Sequence, residues 1–339
     1  MIPAPDLHLH LPGKGVWVAL LMVLFVGGAS SNGPPGGRLA AAELARAVTD
    51  VPKLRSSVDL VALDVCVKTR DGHPSKGLKA EEFLILENDV AQKLALFSIA
   101  GHMPVAVNLL VDNSHSMTGV RLDRAKVAAA EFIGTLRQDD LVEVMSFNDR
   151  VNLRYPLGAD REQAKLSLND ISATGMTRLY EAVLVALRSL DRAQRDRSIE
   201  YRNVIIVLSD GEDTGSRPPF DDVLEDVRRS GVLVYTISLR TGDDDRVAAP
   251  RWEMALLAYD TGGRAFGVRD VAELPRIYQE IGVELVHLYR IGYVPSPLAR
   301  DGAWRTISVR VPTADLVVRT RSGYYAPRLS LKALLGSER

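Results

Sequence analysis

Three short stretches hold the side chains best suited to chemistry: Asp112-Asn113-Ser114-His115-Ser116, Thr174-Gly175-Met176-Thr177 and Ser209-Asp210-Gly211. Their donors are carboxylate and hydroxyl oxygens. These are the hard ligands that Mg²⁺ takes in a near-octahedral set of about six, usually keeping some water. Asp112 and Asp210 balance the charge of such a cation, and the hydroxyls of Ser114, Ser116 and Thr177 supply neutral oxygens. A cation held mainly by hydroxyls stays strongly electrophilic, so it favours an anionic further ligand such as a carboxylate from another molecule. That is a binding device, and it requires no reaction.

Other chemistries lack their parts. A Mg²⁺-dependent phosphatase of the haloacid-dehalogenase type needs a second acid two residues after Asp112, where Ser114 stands. No GxSxG elbow is present, and neither a P-loop GxxxxGK[ST] nor a GxGxxG follows a strand, so a serine hydrolase or a nucleotide cradle is not expected. Six histidines (8, 10, 73, 102, 115 and 287) are scattered without paired spacing, and the single cysteine, Cys66, can form neither an intrachain disulfide nor a multi-thiolate zinc site. Lys and Arg number 42 against 43 Asp and Glu, so there is no basic excess to suit a nucleic-acid partner. A hydrophobic share of 46% with 25% charged residues in 339 positions argues for about two folded domains and against wholesale disorder.

The three stretches make sense only if folded elements bring them together. The almost wholly apolar run VAVNLLV (105–111) predicts a central strand covered on both faces, and LVEVMSF (141–147), VIIVL (204–208) and VLVYTISL (232–239) predict others. Between them, 3/4 spacing predicts helices: one carrying Leu122, Ala125, Ala129, Phe132, Ile133 and Leu136, then others over 179–193, 221–229, 252–259 and 272–289. VNLRY (151–155) and a short strand near 264–268 complete the alternation. The expected fold class is therefore α/β, a doubly wound and mostly parallel sheet with helices on both faces. In such sheets ligands bind outside the carboxyl ends of the strands, where all three stretches fall. Period-two segments flank this unit. From Val58, and at 83–86 and 94–99 with Asn88-Asp89 as a hairpin turn, they precede it; RIGYV (290–294), TISVRV (306–311) and LVVRTR (316–321) follow it. They predict a small β domain split around the α/β one, with Tyr324 and Tyr325 as packing residues.

Asp-x-Ser-x-Ser in DNSHSM, a distant Thr in TGMT and a distant Asp in VLSDGEDT resemble the von Willebrand factor type A (VWA) domain and its metal-ion-dependent adhesion site. The resemblance covers roughly 105–285. DLVALDVCVKTRDG, LKAEEFLILEND and RIGYVPSP…WRTISVRV…RSGYYAP resemble a bacterial VWFA-related subfamily found in acidobacteria; Glu87-Asn88-Asp89 replaces that subfamily's Glu-Asp-Gly turn. The resemblance implies a Mg²⁺-dependent module, with Mn²⁺ or Ca²⁺ as alternatives, that binds a protein ligand presenting Glu or Asp and binds no nucleotide. It implies that Ser114 and Ser116 bind the metal directly, Thr177 directly or through water, and Asp112 and Asp210 largely through water and hydrogen bonds. It also puts the helix over 272–289 in the place of the family's C-terminal helix, whose sliding is coupled to the metal loops in some members. A metal-independent scaffold or assembly subunit of an envelope complex is the alternative, ahead of a Mg²⁺-dependent hydrolase.

Four neighbours could form a rim: His115, Arg178, Glu212 and Asp213. Their ordinary readings are an exposed loop residue, a solvated charge and a polar loop; the functional reading is a charge preference set around the ligand. At the N-terminus, Lys14 precedes the apolar run VWVALLMVLFV (16–26) and the small residues Gly27 to Ser30, the pattern of a secretory signal peptide, with an uncleaved membrane anchor as the alternative. Either reading predicts export to a periplasmic or extracellular site. The expected organisation is 1–30 signal or anchor, 31–54 linker, 55–102 β segment, 103–288 VWA domain, 289–328 second β segment and 329–339 tail.

Overall fold

The computed structural model describes residues 60–99, 103–197, 199–210, 212–239, 251–313 and 315–328. The expected signal or anchor, linker and tail lie outside them. Four strands come first: β1 (Val61–Thr69), β2 (Leu84–Glu87), β3 (Val90–Gln92) and β4 (Leu94–Ile99). In β1, Val61, Leu63, Val65 and Val67 are buried on one face, as a period of two requires. Asn88 and Asp89 sit at φ of 47° and 63° and join β2 to β3. Such a turn, left-handed at both central residues, pairs the residues immediately flanking it. Glu87 therefore faces Val90 and Ile85 faces Gln92. This corrects the expected hairpin: the partner of β2 is 90–92, while 94–99 crosses to a different sheet.

The alternating region follows: β5 (Val105–Asp112), α1 (Val120–Thr135), β6 (Leu141–Phe147), β7 (Val151–Gly158), α2 (Arg161–Leu166), α3 (Leu179–Arg195), β8 (Arg202–Ser209), α4 (Phe220–Ser230), β9 (Leu233–Leu239), α5 (Trp252–Thr261), β10 (Ala265–Val268) and α6 (Leu274–Val286). The six strands lie in the order β10-β9-β8-β5-β6-β7, parallel except for the antiparallel edge strand β7. Odd residues of β5 (Val105, Val107, Leu109, Val111) pack under α1 and α6, against Phe132, Ile133, Ile277 and Ile281. Even ones (Ala106, Leu110) pack under α3, α4 and α5, against Val183, Leu187, Val227 and Leu257. This is the doubly wound arrangement, and each fully buried aliphatic or aromatic side chain in it contributes about 1.5–3 kcal/mol. Two elements differ from expectation. α2 is a six-residue helix without a long apolar face, started by Asp160, whose carboxylate accepts from the Gln163 N–H at 3.0 Å. α6 stops at Val286 because Tyr289 is already drawn into a strand.

That strand is β11 (Tyr289–Tyr293), followed by β12 (Trp304–Arg310), β13 (Leu316–Arg319) and β14 (Gly323–Tyr325). With the first four they build two antiparallel sheets, β13-β1-β11-β4 and β14-β12-β2-β3. Leu63, Val65, Ile85, Tyr289, Ile291, Val309 and Tyr324 form the core between them. The α/β region is thus inserted between β4 and β11, which are hydrogen-bonded neighbours with Ile99 opposite Tyr289.

The other face of β1 meets the α/β region. Cys66 is buried there, and burial pushes its thiol up to about 12, so it behaves as a small hydrophobe. Beside it Glu284 of α6, 2% exposed, lies 2.8 Å from Lys68 Nζ, pairs with the Arg319 guanidinium and accepts from the Tyr235 hydroxyl at 2.6 Å. Burial alone would raise the Glu284 carboxyl; the Arg319 and Lys68 charges hold it below its ordinary value. Among the described residues no helix is long and apolar enough to cross a membrane.

Candidate metal centre

β5 and β8 are parallel neighbours in register, Val111 opposite Leu208, so Asp112 and Ser209-Asp210 emerge side by side at the carboxyl edge. Asp112 is fully buried. Its Oδ2 accepts from the Ser209 hydroxyl at 2.5 Å and its Oδ1 from the Ser114 N–H at 2.7 Å. Burial pushes its carboxyl up to about 6 against those two hydrogen bonds, and the Asp210 charge adds to the rise. Ser114 Oγ lies 3.0 Å from Ser116 Oγ, and the Ser116 hydroxyl donates to Asp210 Oδ1 at 2.6 Å. Ser116 is exposed, so this chain of oxygens opens to solvent at one end.

Thr177 is buried at the start of α3 and held through its backbone. Its N–H donates to the Thr214 hydroxyl at 3.1 Å, and its carbonyl accepts from the N–H groups of Thr214 and Gly215 at 2.9 and 3.1 Å. Its hydroxyl joins none of the hydrogen bonds that link the other four residues among those described. The loop carrying it is nevertheless tied to the first stretch: the His115 N–H donates to the Gly175 carbonyl at 3.0 Å and the Thr174 N–H to the Asn113 carbonyl at 2.8 Å. Gly175 sits at φ +77°, and a Cβ there would meet the Asp149 carboxylate, which accepts from the Met176 N–H at 3.1 Å. Only glycine satisfies both conditions at low cost.

The donor set fits a hard cation. Adjacent corners of an octahedron with metal–oxygen distances near 2.1 Å are about 3 Å apart, which is the separation of the two serine oxygens. Among the described residues no group of three or more His, Cys, Asp and Glu side chains gathers to form a nitrogen- or sulfur-rich alternative.

Several residues at this edge have roles that their types alone do not announce. Arg121, in the first turn of α1, donates to Asp210 Oδ2 at 3.0 Å and to the Ser116 carbonyl at 2.8 Å. Ser209 and Asp149 support Asp112 and the Gly175 turn. Of the expected rim, His115 is exposed, and Glu212 is exposed but paired with Arg251. Arg178 is turned onto Glu181 at 3.2 Å. Asp213 is not a free rim charge: its carboxylate accepts from the Tyr180 N–H at 3.0 Å and from the Ser216 N–H and hydroxyl at 2.9 and 2.6 Å, fixing the start of α3.

Residues 107–280 match the von Willebrand factor type A domain family. Inter-alpha-trypsin inhibitor heavy chain H4 from Sus scrofa is 27% identical over 226 residues, covering 64% of this chain and 24% of that protein. The chain therefore spans about a quarter of that relative's length. Among solved structures, a von Willebrand factor type A protein from Catenulispora acidiphila is similar with a TM-score of 0.47 at 15% identity, over 80% of this chain and 75% of that one. Proximal thread matrix protein 1 from the mussel byssus, in a structure described as having a zinc-occupied MIDAS motif, gives 0.46 at 18% identity, over 54% and 48% of the two chains.

Proposed function

The chain belongs to the von Willebrand factor type A domain family, and from that premise we propose that it is an exported, non-enzymatic binding module that holds Mg²⁺ at the carboxyl edge of its sheet and accepts an acidic side chain of a protein partner. The observation that carries this reading is the run of oxygens from Ser114 through Ser116 to Asp210, with the two hydroxyls 3.0 Å apart, beside Asp112, whose carboxylate takes the Ser114 N–H. A cation bound there supplies one electrophilic position for a carboxylate. The protein's own residues do the rest. Ser114 and Ser116 present neutral oxygens, Thr177 stands ready on a loop fixed by Gly175 and Thr214, and the two aspartates balance charge while orienting the serines. On this reading the hydroxyls and carboxylates at the edge serve as ligands and charge partners of the cation, and recognition is the output. Export rests on the apolar run 16–26, which supports a periplasmic or extracellular site.

Titration of Mg²⁺ into the purified protein by calorimetry tests the reading directly. Saturable binding is expected in the wild type and its loss in Ser114→Ala/Ser116→Ala; a wild type that takes up no Mg²⁺ or Mn²⁺ at pH 7 removes the proposal.

One observation favours the alternative, a metal-independent scaffold: Arg121 already supplies Asp210 with a positive charge. The two readings part on Arg121→Ala. If the site takes a metal, removing a competing cation at this partly exposed position is expected to tighten Mg²⁺ binding severalfold. A scaffold would show no metal binding in either protein and a lower unfolding midpoint in the variant.

A further inference from the structure

At the opposite, amino-terminal edge of the six-stranded sheet, where α/β region and sandwich meet, a polar cavity of about 260 Å³ is lined by Arg202, Arg290 and Arg321 together with Asp64 and Glu200. Arg202 opens β8 and its side chain is 1% exposed. Its Nη1 donates to the Leu285 carbonyl at 3.3 Å. Its Nη2 lies 2.8 Å from Asp64 Oδ1 without hydrogen-bond geometry, and among the described residues its Nε and Nη2 have no hydrogen-bond acceptor. Arg321 Nε is likewise buried and without an acceptor there. Arg290 is divided between Asp64, at 3.7 Å, and Glu200 on the surface.

Two features of this cluster ask for a ligand. Three guanidinium groups face two carboxylates, which leaves one positive charge uncompensated. Buried guanidinium N–H groups without acceptors are costly, and the groups that satisfy them best are oxyanions, whose paired oxygens match the guanidinium fork. We propose that this cavity binds a small oxyanion, a carboxylate or phosphate group, held by Arg202 and Arg321 with Arg290 at its mouth. The cavity holds only a small ion or the end of a larger molecule. It is separate from the metal edge, since Arg202 begins the same strand that Ser209 ends.

Thermal unfolding of the full chain in EDTA, which removes any contribution of a metal, tests the proposal. Inorganic phosphate and acetate are each titrated against chloride at matched ionic strength. A saturable rise of the midpoint with one of them is expected, and which anion gives it identifies the tetrahedral or the carboxylate form. Arg321→Gln removes the guanidinium whose Nε has no acceptor and keeps a polar side chain, so it is expected to fold and to raise the half-saturating concentration tenfold or more. Glu200→Gln, at a surface position, releases Arg290 and is expected to tighten binding severalfold; it decides the matter even if the Arg321 variant does not fold. No saturable response of the wild type to either anion overturns the proposal, as does a response left unchanged or weakened by Glu200→Gln.

Discussion

Asp112→Asn is expected to raise the unfolding midpoint of the metal-free protein at pH 7 while abolishing its response to Mg²⁺. The buried Asp112 carboxyl has its pKa raised from 3.8 to about 6. A group whose pKa is raised on folding contributes stability that is fully present below the unfolded value and is lost as pH rises through the folded one. At pH 7 the charged side chain therefore costs the metal-free fold up to about 3 kcal/mol. Asparagine removes that charge without disturbing the local bonds: its oxygen still accepts from the Ser114 N–H, and its amide donates to the Ser209 hydroxyl, which turns to accept. The gain is expected to be roughly 2–3 kcal/mol, some 4–10 °C for a domain of this size, and to shrink toward zero as pH is lowered to about 4. A variant less stable than wild type at pH 7 would show that the carboxylate is structural rather than held ready for a cation. If the proposed site takes Mg²⁺, the same linkage is expected to lower its affinity as pH falls through about 6, because the Asp112 carboxyl must shed its proton to balance the cation's charge. Calorimetric titrations at pH 7 and pH 5 measure it.

The second large effect lies at Glu284. Replacing it with leucine leaves Arg319 and Lys68 facing each other without a counter-charge in a buried joint, which is expected to cost about 3–5 kcal/mol. Chemical denaturation reads this as a lower midpoint at unchanged slope. Adding Arg319→Met to Glu284→Leu is expected to recover much of the loss; equal instability of single and double variants would place the effect in packing instead. The pKa of Glu284 is lowered on folding, so its contribution is present above the ordinary carboxylate range and lost as pH falls through the lowered value. The joint also bears on the helix that carries it. Any sliding of α6 must break the bonds of Glu284 to β1 and β13, so Glu284→Leu is the variant in which coupling between that helix and the metal edge would emerge as a change in Mg²⁺ affinity.

The four central strands, β5, β6, β8 and β9, were legible because they are buried on both faces and so read as largely apolar runs, with Asp112 and Asp210 marking where two of them end. The split β domain was legible from period-two segments on either side. What failed was local or distant in ways that patterning does not record. The β2–β3 hairpin turned on the left-handed conformations of Asn88 and Asp89, which set the partner at 90–92 rather than at the longer run beyond. α2 has one buried residue, Ala164, and so no face to read. At the site, Arg121 reaches an aspartate 89 residues away, and nothing in its exposed helical turn marks it. Asp213 was misjudged for the same reason: the Tyr180 N–H that it accepts from lies 33 residues earlier in the chain, where no local pattern records it.

The insertion of the α/β region between β4 and β11 has a mechanical consequence. A load applied at the carboxyl edge of the six-stranded sheet has its covalent path out of the α/β region through these two strands, which run side by side in one sheet and are drawn in the same direction. The resistance then falls on β11 against β1, where Val61 is opposite Tyr293 and Val65 opposite Tyr289. A pull from residue 60 against the metal edge seizes this ladder at its two opposite ends, so its pairs are strained together in shear rather than peeled apart one by one.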